Sequence, residues 1–145
     1  MAEEIFLDSS FFKGLIDQDD DFHNRAESIW KNLKINSFRL VTTNYILDET
    51  FTLVRVKCGL EKVKKLRNVL SEHADKILVT RVTENDDARA WDWFFNDWSK
   101  LSFTDCVSFA VMKRLGLTRV ATFDDHFKKA GFYIFSTTMF VRNDT

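Results

Sequence analysis

Short runs rich in β-branched and aromatic residues alternate with longer segments of helical period, and this alternation constrains the chain more than any other feature. The segments "EIFLD", "SFRLVTT", "KILVTRV" and "TRVATF" read as strands, with "FYIFS" as a weaker last one. Between them, "FHNRAESIWKNLK" places Phe22, Ala26, Ile29 and Leu33 along one helical stripe. "TTNYILDETFTLVRVKCG" reads as a helix with a Thr cap at its start and Gly59 just past its end. "LEKVKKLRNVLSEH" is a further helix, and "TENDDARAWDWFFNDWSK" opens on Thr83 with acids in its first turn, which suits the helix dipole. Thr104 is the expected cap of a helix that Gly116 closes. Strands alternating with helices predict an α/β fold with a central, mainly parallel sheet flanked by helices, and nothing marks a boundary within residues 1–145, so one domain is expected.

In such sheets ligands bind outside the carboxyl ends of the strands. Asp8 and Asp124 fall at strand ends, and Asp105 falls at a helix start. Glu49 is placed with Ile46, Leu53 and Val56 at helical spacing, so a carboxylate is expected on an apolar stripe. Asp105 likewise lines up with Phe109 and Met112. A core-facing carboxylate is costly unless it is paired or binds a metal. Arg39 and Arg119 are the candidate partners if these acids are merely salt-bridged or helix-capping. Four acids from separate elements favour convergence, and converging carboxylates repel unless a cation neutralises them. With no His, Cys or Lys at ligand spacing beside them, the implied donors are hard oxygens. Those suit Mg²⁺ or Mn²⁺, one ion or two, and the chemistry of metal-assisted phosphodiester hydrolysis.

The net charge of −1 gives no support to a nucleic-acid binder in bulk, although a local basic patch would suffice. "RVKCGLEKVKKLR" is the strong basic run. Arg55, Lys57, Lys62 and Lys65 in it are candidate phosphate-steering residues, against the simpler reading of a solvated helix face. The two cysteines, Cys58 and Cys106, match no zinc spacing and read as small core hydrophobes. With no targeting segment and no long apolar run, a cytoplasmic setting and no membrane are expected. Trp91, Phe95 and Trp98 share a helical face that suits a core or subunit interface, while Trp93 points elsewhere, toward a partner surface. His23, His73 and His126 show no ligand spacing and read as exposed or locally bonded histidines.

"IFLDSSFFKGLID", "LVTTNYILDETFTLV", "LSFTDCVSFAVMKRLG" and "RVATFDDHF" resemble, in order and at similar intervals, the PIN-domain nucleases, most of all the VapC-type ribonuclease toxins of toxin–antitoxin pairs. The resemblance implies a three-layer PIN-like domain acting as a metal-dependent endoribonuclease on RNA, with an antitoxin protein as partner and a homodimer as assembly. By position it implies Asp8, Glu49, Asp105 and Asp124 as metal-binding catalytic acids. Ser10 and Thr104 would support them, and Asp125 is a rival to Asp124. His126 stands where an acidic residue is commoner. An RNA-processing nuclease or a non-catalytic RNA-binding module of the same fold are alternative expectations. Aspartate-based phosphoryl transfer fits poorly, since "LDSSF" has one acid followed by two serines.

Overall fold

The computed structural model describes residues 3–136. Five strands form one sheet: β1 (Glu4–Leu7), β2 (Arg39–Thr43), β3 (Ile77–Thr80), β4 (Arg119–Ala121) and β5 (Tyr133–Ile134). Their order is β3-β2-β1-β4-β5, and every pairing is parallel. The helices are α1 (Ser9–Ile16), α2 (His23–Ile35), α3 (Asn44–Cys58), α4 (Leu60–Glu72), α5 (Glu84–Phe94), α6 (Phe103–Leu115) and α7 (His126–Lys129). The chain winds outward from β1 through β2 to β3, then crosses back to β4 on the other side of β1. Right-handed crossovers therefore lay α1 to α4 on one face of the sheet and α5 to α7 on the other. The crevice between the carboxyl ends of β1 and β4 is the point where the winding reverses, the favoured place for a ligand in this architecture.

The expected strands are all present. Residues 9–16, for which the sequence pattern after "EIFLD" predicts no element, form α1, whose first turn is capped by the Asp8 carboxylate. Caps elsewhere follow the sequence: Thr43 accepts from Ile46 N–H, Thr83 and Asp86 form a reciprocal capping box, and Gly116 closes α6 at φ 70°. Thr104 is not a cap. Ser102 takes that place and accepts from Asp105 N–H, so Thr104 lies within the first turn.

Rings fill the core, with Phe6, Phe11, Phe12, Phe109 and Phe127 essentially inaccessible. Phe109 meets Phe127 edge to face at 5.0 Å. Helix α6 is buried on every side from Asp105 to Met112, so the acid in its first turn is carried into the interior by its own helix. The apolar stripe of α3 is Ile46, Thr50 and Val54, not Ile46, Glu49, Leu53 and Val56; Val56 is 76% exposed and Glu49 lies half-buried on the flank. In α5, Trp93 packs on Phe109 at 5.7 Å rather than facing a partner, while Trp91 and Phe95 of the face expected to be covered are 45% and 82% exposed. Cys106 is buried and Cys58 half-buried, and both are free thiols. No helix among the described residues is long and apolar enough to cross a membrane.

Candidate active site

Asp8 follows β1 directly, and its backbone N–H donates to Ala121 O at 3.2 Å, so the β1–β4 ladder runs on to the site. One carboxylate oxygen, Oδ2, is heavily solvated by protein. It accepts from Thr122 Oγ1 at 2.7 Å, from Ser10 Oγ at 2.9 Å and from Ser10 N at 3.4 Å. The same hydroxyls fix the loop after β4, since Phe123 N donates to Ser10 Oγ at 2.9 Å and Asp124 N to Thr122 Oγ1 at 3.0 Å. The other oxygen, Asp8 Oδ1, is buried without a hydrogen-bond partner among the described residues, and so is Glu49 Oε2. Bare buried carboxylate oxygens are unfavourable unless something positive faces them.

Neither arginine weighed as a partner supplies that charge. Arg119 pairs with Glu3, and Arg39 makes no ion pair with these acids. Asp8, Glu49 and Asp105 instead feel the charges of the other acids of the group. Burial raises the Asp105 carboxyl to about 9, with the charges of Asp8, Asp124 and Glu49 adding to it. Burial also lifts Asp8, against the pull of the Thr122 and Ser10 donors, and Asp124 adds to the rise. Glu49 is raised by burial first, then by Asp8 and Asp124. The expected acids therefore converge at the crevice. Asp124 acts on all three of the others, whereas Asp125 is exposed at the start of α7 and makes no side-chain cap hydrogen bond.

His126 and Thr122 enter the site without having been singled out for it. The His126 side chain is only 12% exposed, and its ring lies parallel to Trp98, 6.4 Å away. Its Nε2 sits 2.8 Å from Ser99 O, and since a carbonyl only accepts, Nε2 carries a proton. Nδ1 faces the acids, 2.8 Å from Asp124 Oδ1 and 3.5 Å from Asp105 Oδ2. A ring nitrogen fixed in this way by a carbonyl on its far side is the usual arrangement of a metal-binding histidine. One donor atom each from Asp105, Asp124 and His126 lie within 4.8 Å of one another. For His126 the sequence signals are its adjacency in "DDH" and its place where the resemblance has a commoner acid; Thr122 carries no signal apart from its place directly after β4.

The donor set fits a divalent cation: two orphaned buried oxygens, two further carboxylates and one ring nitrogen, converging at the positive ends of α1 and α6. The basic candidates lie elsewhere. Arg55 and Lys57 occupy the last turn of α3, and Lys62 and Lys65 follow on α4. Lys57 is about 12 Å along the helix axis from Glu49, and Lys62 acts on the Cys58 thiol beside Asp17. Ser10 touches Asp8; Thr104 is half-buried one residue before Asp105.

A family model described as the PIN domain matches residues 5–133. The 23S rRNA-specific endonuclease VapC20 of Mycobacterium tuberculosis is 32% identical over 129 residues, covering 88% of this chain and 95% of that protein. The crystal structure of M. tuberculosis VapC20, described as a sarcin-ricin loop cleaving toxin, superposes with a TM-score of 0.78 at 31% identity, over 88% of this chain and 95% of that one. At 18% identity, FitAcB from Neisseria gonorrhoeae (TM-score 0.63, 91% and 96% covered) and PAE2754 from Pyrobaculum aerophilum (TM-score 0.58, 98% and 96% covered) share the fold.

Proposed function

The chain belongs to the PIN-domain family, and from that premise we propose that it is a metal-dependent endoribonuclease, the toxin of a toxin–antitoxin pair. The observation that carries the chemistry is the pair of bare buried oxygens, Asp8 Oδ1 and Glu49 Oε2, on acids whose charges also act on Asp105. In this reading Asp8, Glu49, Asp105 and Asp124 hold the cation, with His126 Nδ1 as a further donor. Mg²⁺ and Mn²⁺ are the ions proposed, and the imidazole shifts the preference toward Mn²⁺. A bound divalent ion supplies charge stabilisation at the phosphate and lowers the pKa of a coordinated water.

The side chains themselves do the positioning. Thr122 and Ser10 lock the Asp8 carboxylate in one rotamer, leaving Oδ1 aimed inward. Ser99 O holds the His126 ring through Nε2, so that Nδ1 faces the acids. The high proton affinity of Asp105 means that it is protonated near neutrality until a cation displaces that proton, so cation binding releases acid. Thr104 acts through the start of α6. Arg55, Lys57, Lys62 and Lys65 are proposed as a long-range steering surface, since no short contact joins them to the acids.

The substrate proposed is RNA, with a ribosomal RNA loop as first candidate by analogy with the 23S rRNA endonuclease at 32% identity. An antitoxin protein and a homodimer complete the proposal. The exposed Trp91 and Phe95 are apolar surface that an association would cover. The test is incubation of the purified chain with 23S rRNA in Mn²⁺ and in chelator, with Asp105→Asn as control. Discrete cuts that need both the ion and Asp105 support the reading; intact RNA at all protein concentrations overturns it.

A further inference from the structure

Beside Asp124 lies an open pocket of about 220 Å³ whose walls include Phe22, Arg25, Thr122 and Phe123 together with Asp124 and Asp125. At ~30 Å³ per water it holds about seven waters, room for one small group and not for a secondary-structure element. The Phe22 and Phe123 rings stack at 4.6 Å with an interplanar angle of 6°. Phe22 is 38% exposed. The Arg25 guanidinium lies 5.5 Å from one ring centroid and 5.4 Å from the other. Arg25 is exposed, makes no ion pair among the described residues, and is the cationic wall of this pocket.

The platform is built from both sides. Phe123 N is held by Ser10 Oγ, the same hydroxyl that holds Asp8, and its ring passes so close to α1 that a Cβ on Gly14 would meet Phe123 Cε2 at 3.2 Å. Phe22 N donates to Asp20 Oδ1 at 2.8 Å, and Asp20 is anchored by Lys13 Nζ at 2.9 Å. Two rings fixed at this spacing gain little for the fold by leaving a face open to water. A guanidinium resting on aromatic rings keeps its N–H edge free and loses little entropy on meeting a phosphate. An acidic centre repels the strand it must cut, so a cation at its border has a clear electrostatic use.

We propose that Phe22, Phe123 and Arg25 form a nucleotide subsite beside the acidic centre: Arg25 binds a phosphate next to the scissile one, and the exposed Phe22 ring stacks on an unpaired base. This rests on the endoribonuclease reading and adds to it that the strand is engaged unpaired on the Asp124 side.

The test measures fluorescence anisotropy of a labelled single-stranded oligoadenylate on the Asp105→Asn protein in Mg²⁺, over a range of salt. Arg25→Ala weakens binding and reduces the slope of log affinity against log salt by about 0.7, one phosphate contact on a single strand. Phe22→Leu, which keeps the apolar bulk, weakens binding roughly 5-fold or more and leaves that slope unchanged. In the active chain both raise KM and leave kcat unchanged, and Arg25→Lys recovers the salt slope. Unfolding temperatures within error of the parent show that the surface, not the fold, was altered. Unchanged affinity and slope in both variants overturn the subsite, as would happen if these rings faced a protein partner. If the parent neither binds nor cuts RNA in Mn²⁺, the endoribonuclease reading falls and the subsite with it; if the parent cuts RNA and the variants are indistinguishable from it, the subsite alone falls.

Discussion

Thr122 Oγ1 donates to Asp8 Oδ2 at 2.7 Å, joining two residues that are 114 apart in the chain but side by side where β1 and β4 leave the sheet. That hydrogen bond saturates one face of the Asp8 carboxylate and leaves the other bare. Thr122→Val removes the donor while keeping the shape. The Asp8 carboxyl then rises further, since a donor favours the charged form. Affinity for Mn²⁺, measured by titration calorimetry, should fall about tenfold, with a loss of about 1 kcal/mol in stability of the loaded protein. An unchanged Mn²⁺ affinity would show that Thr122 does not orient Asp8.

Asp105→Asn and Asp8→Asn remove charge from a cluster whose members raise one another's pKa. RNA cleavage should drop by a factor of about 10³ or more, in the range of losing one essential electrostatic group. In chelator, both variants should unfold at a temperature equal to or above that of the parent, because an amide needs neither to take up a proton on folding nor to face a neighbour's charge. A parent more stable than both variants in chelator would contradict the repulsion argument.

The pH dependence of the metal-free fold follows from Asp105, whose carboxyl is raised from 3.8 to about 9. Between those values the folded chain holds a proton that the unfolded chain has released. Stability contributed by this group is therefore complete below 3.8 and declines as pH rises toward 9. Denaturant melts in chelator should show that decline, and Asp105→Asn should flatten it. Saturating Mn²⁺ should also flatten or reverse it, with proton release on binding detectable as a buffer-dependent calorimetric heat.

His126→Ala takes away the ring nitrogen that faces Asp105 and Asp124 at 3.5 and 2.8 Å. Mn²⁺ affinity should fall by about 10-fold, while Mg²⁺ affinity, which owes less to nitrogen donors, should change less. His126→Asp should restore Mg²⁺ binding and lose the preference for Mn²⁺. Equal losses for the two ions in His126→Ala would place the histidine outside the coordination sphere.

The alternation of strands and helices was legible because strand composition and helical period are local properties, and the parallel sheet followed from it. Asp8, Asp105 and Asp124 were legible too, since each stands at a junction where an apolar residue would be ordinary. Glu49 was found for a partly mistaken reason: its helix buries Ile46, Thr50 and Val54, and Glu49 is drawn inward by the crevice rather than by the core stripe. Helix α1 escaped notice because "SSFFKGLI" is a short run with a buried glycine and no sustained polar face; only the Asp8 cap and the packing around it make it a helix.

The sequence by itself determined the element types, most of the caps, and which carboxylates stood in costly places, because those depend on spacing along one segment. Only the tertiary structure decided which oxygen of Asp8 stays bare, that Asp124 rather than Asp125 faces the others, and that the Ser99 carbonyl turns His126 Nδ1 inward. Those facts arise where β1 meets β4 and where the Ser99 loop meets α7, contacts between segments far apart in the chain. Their energies belong to the pair in space and leave no periodic trace in either segment alone.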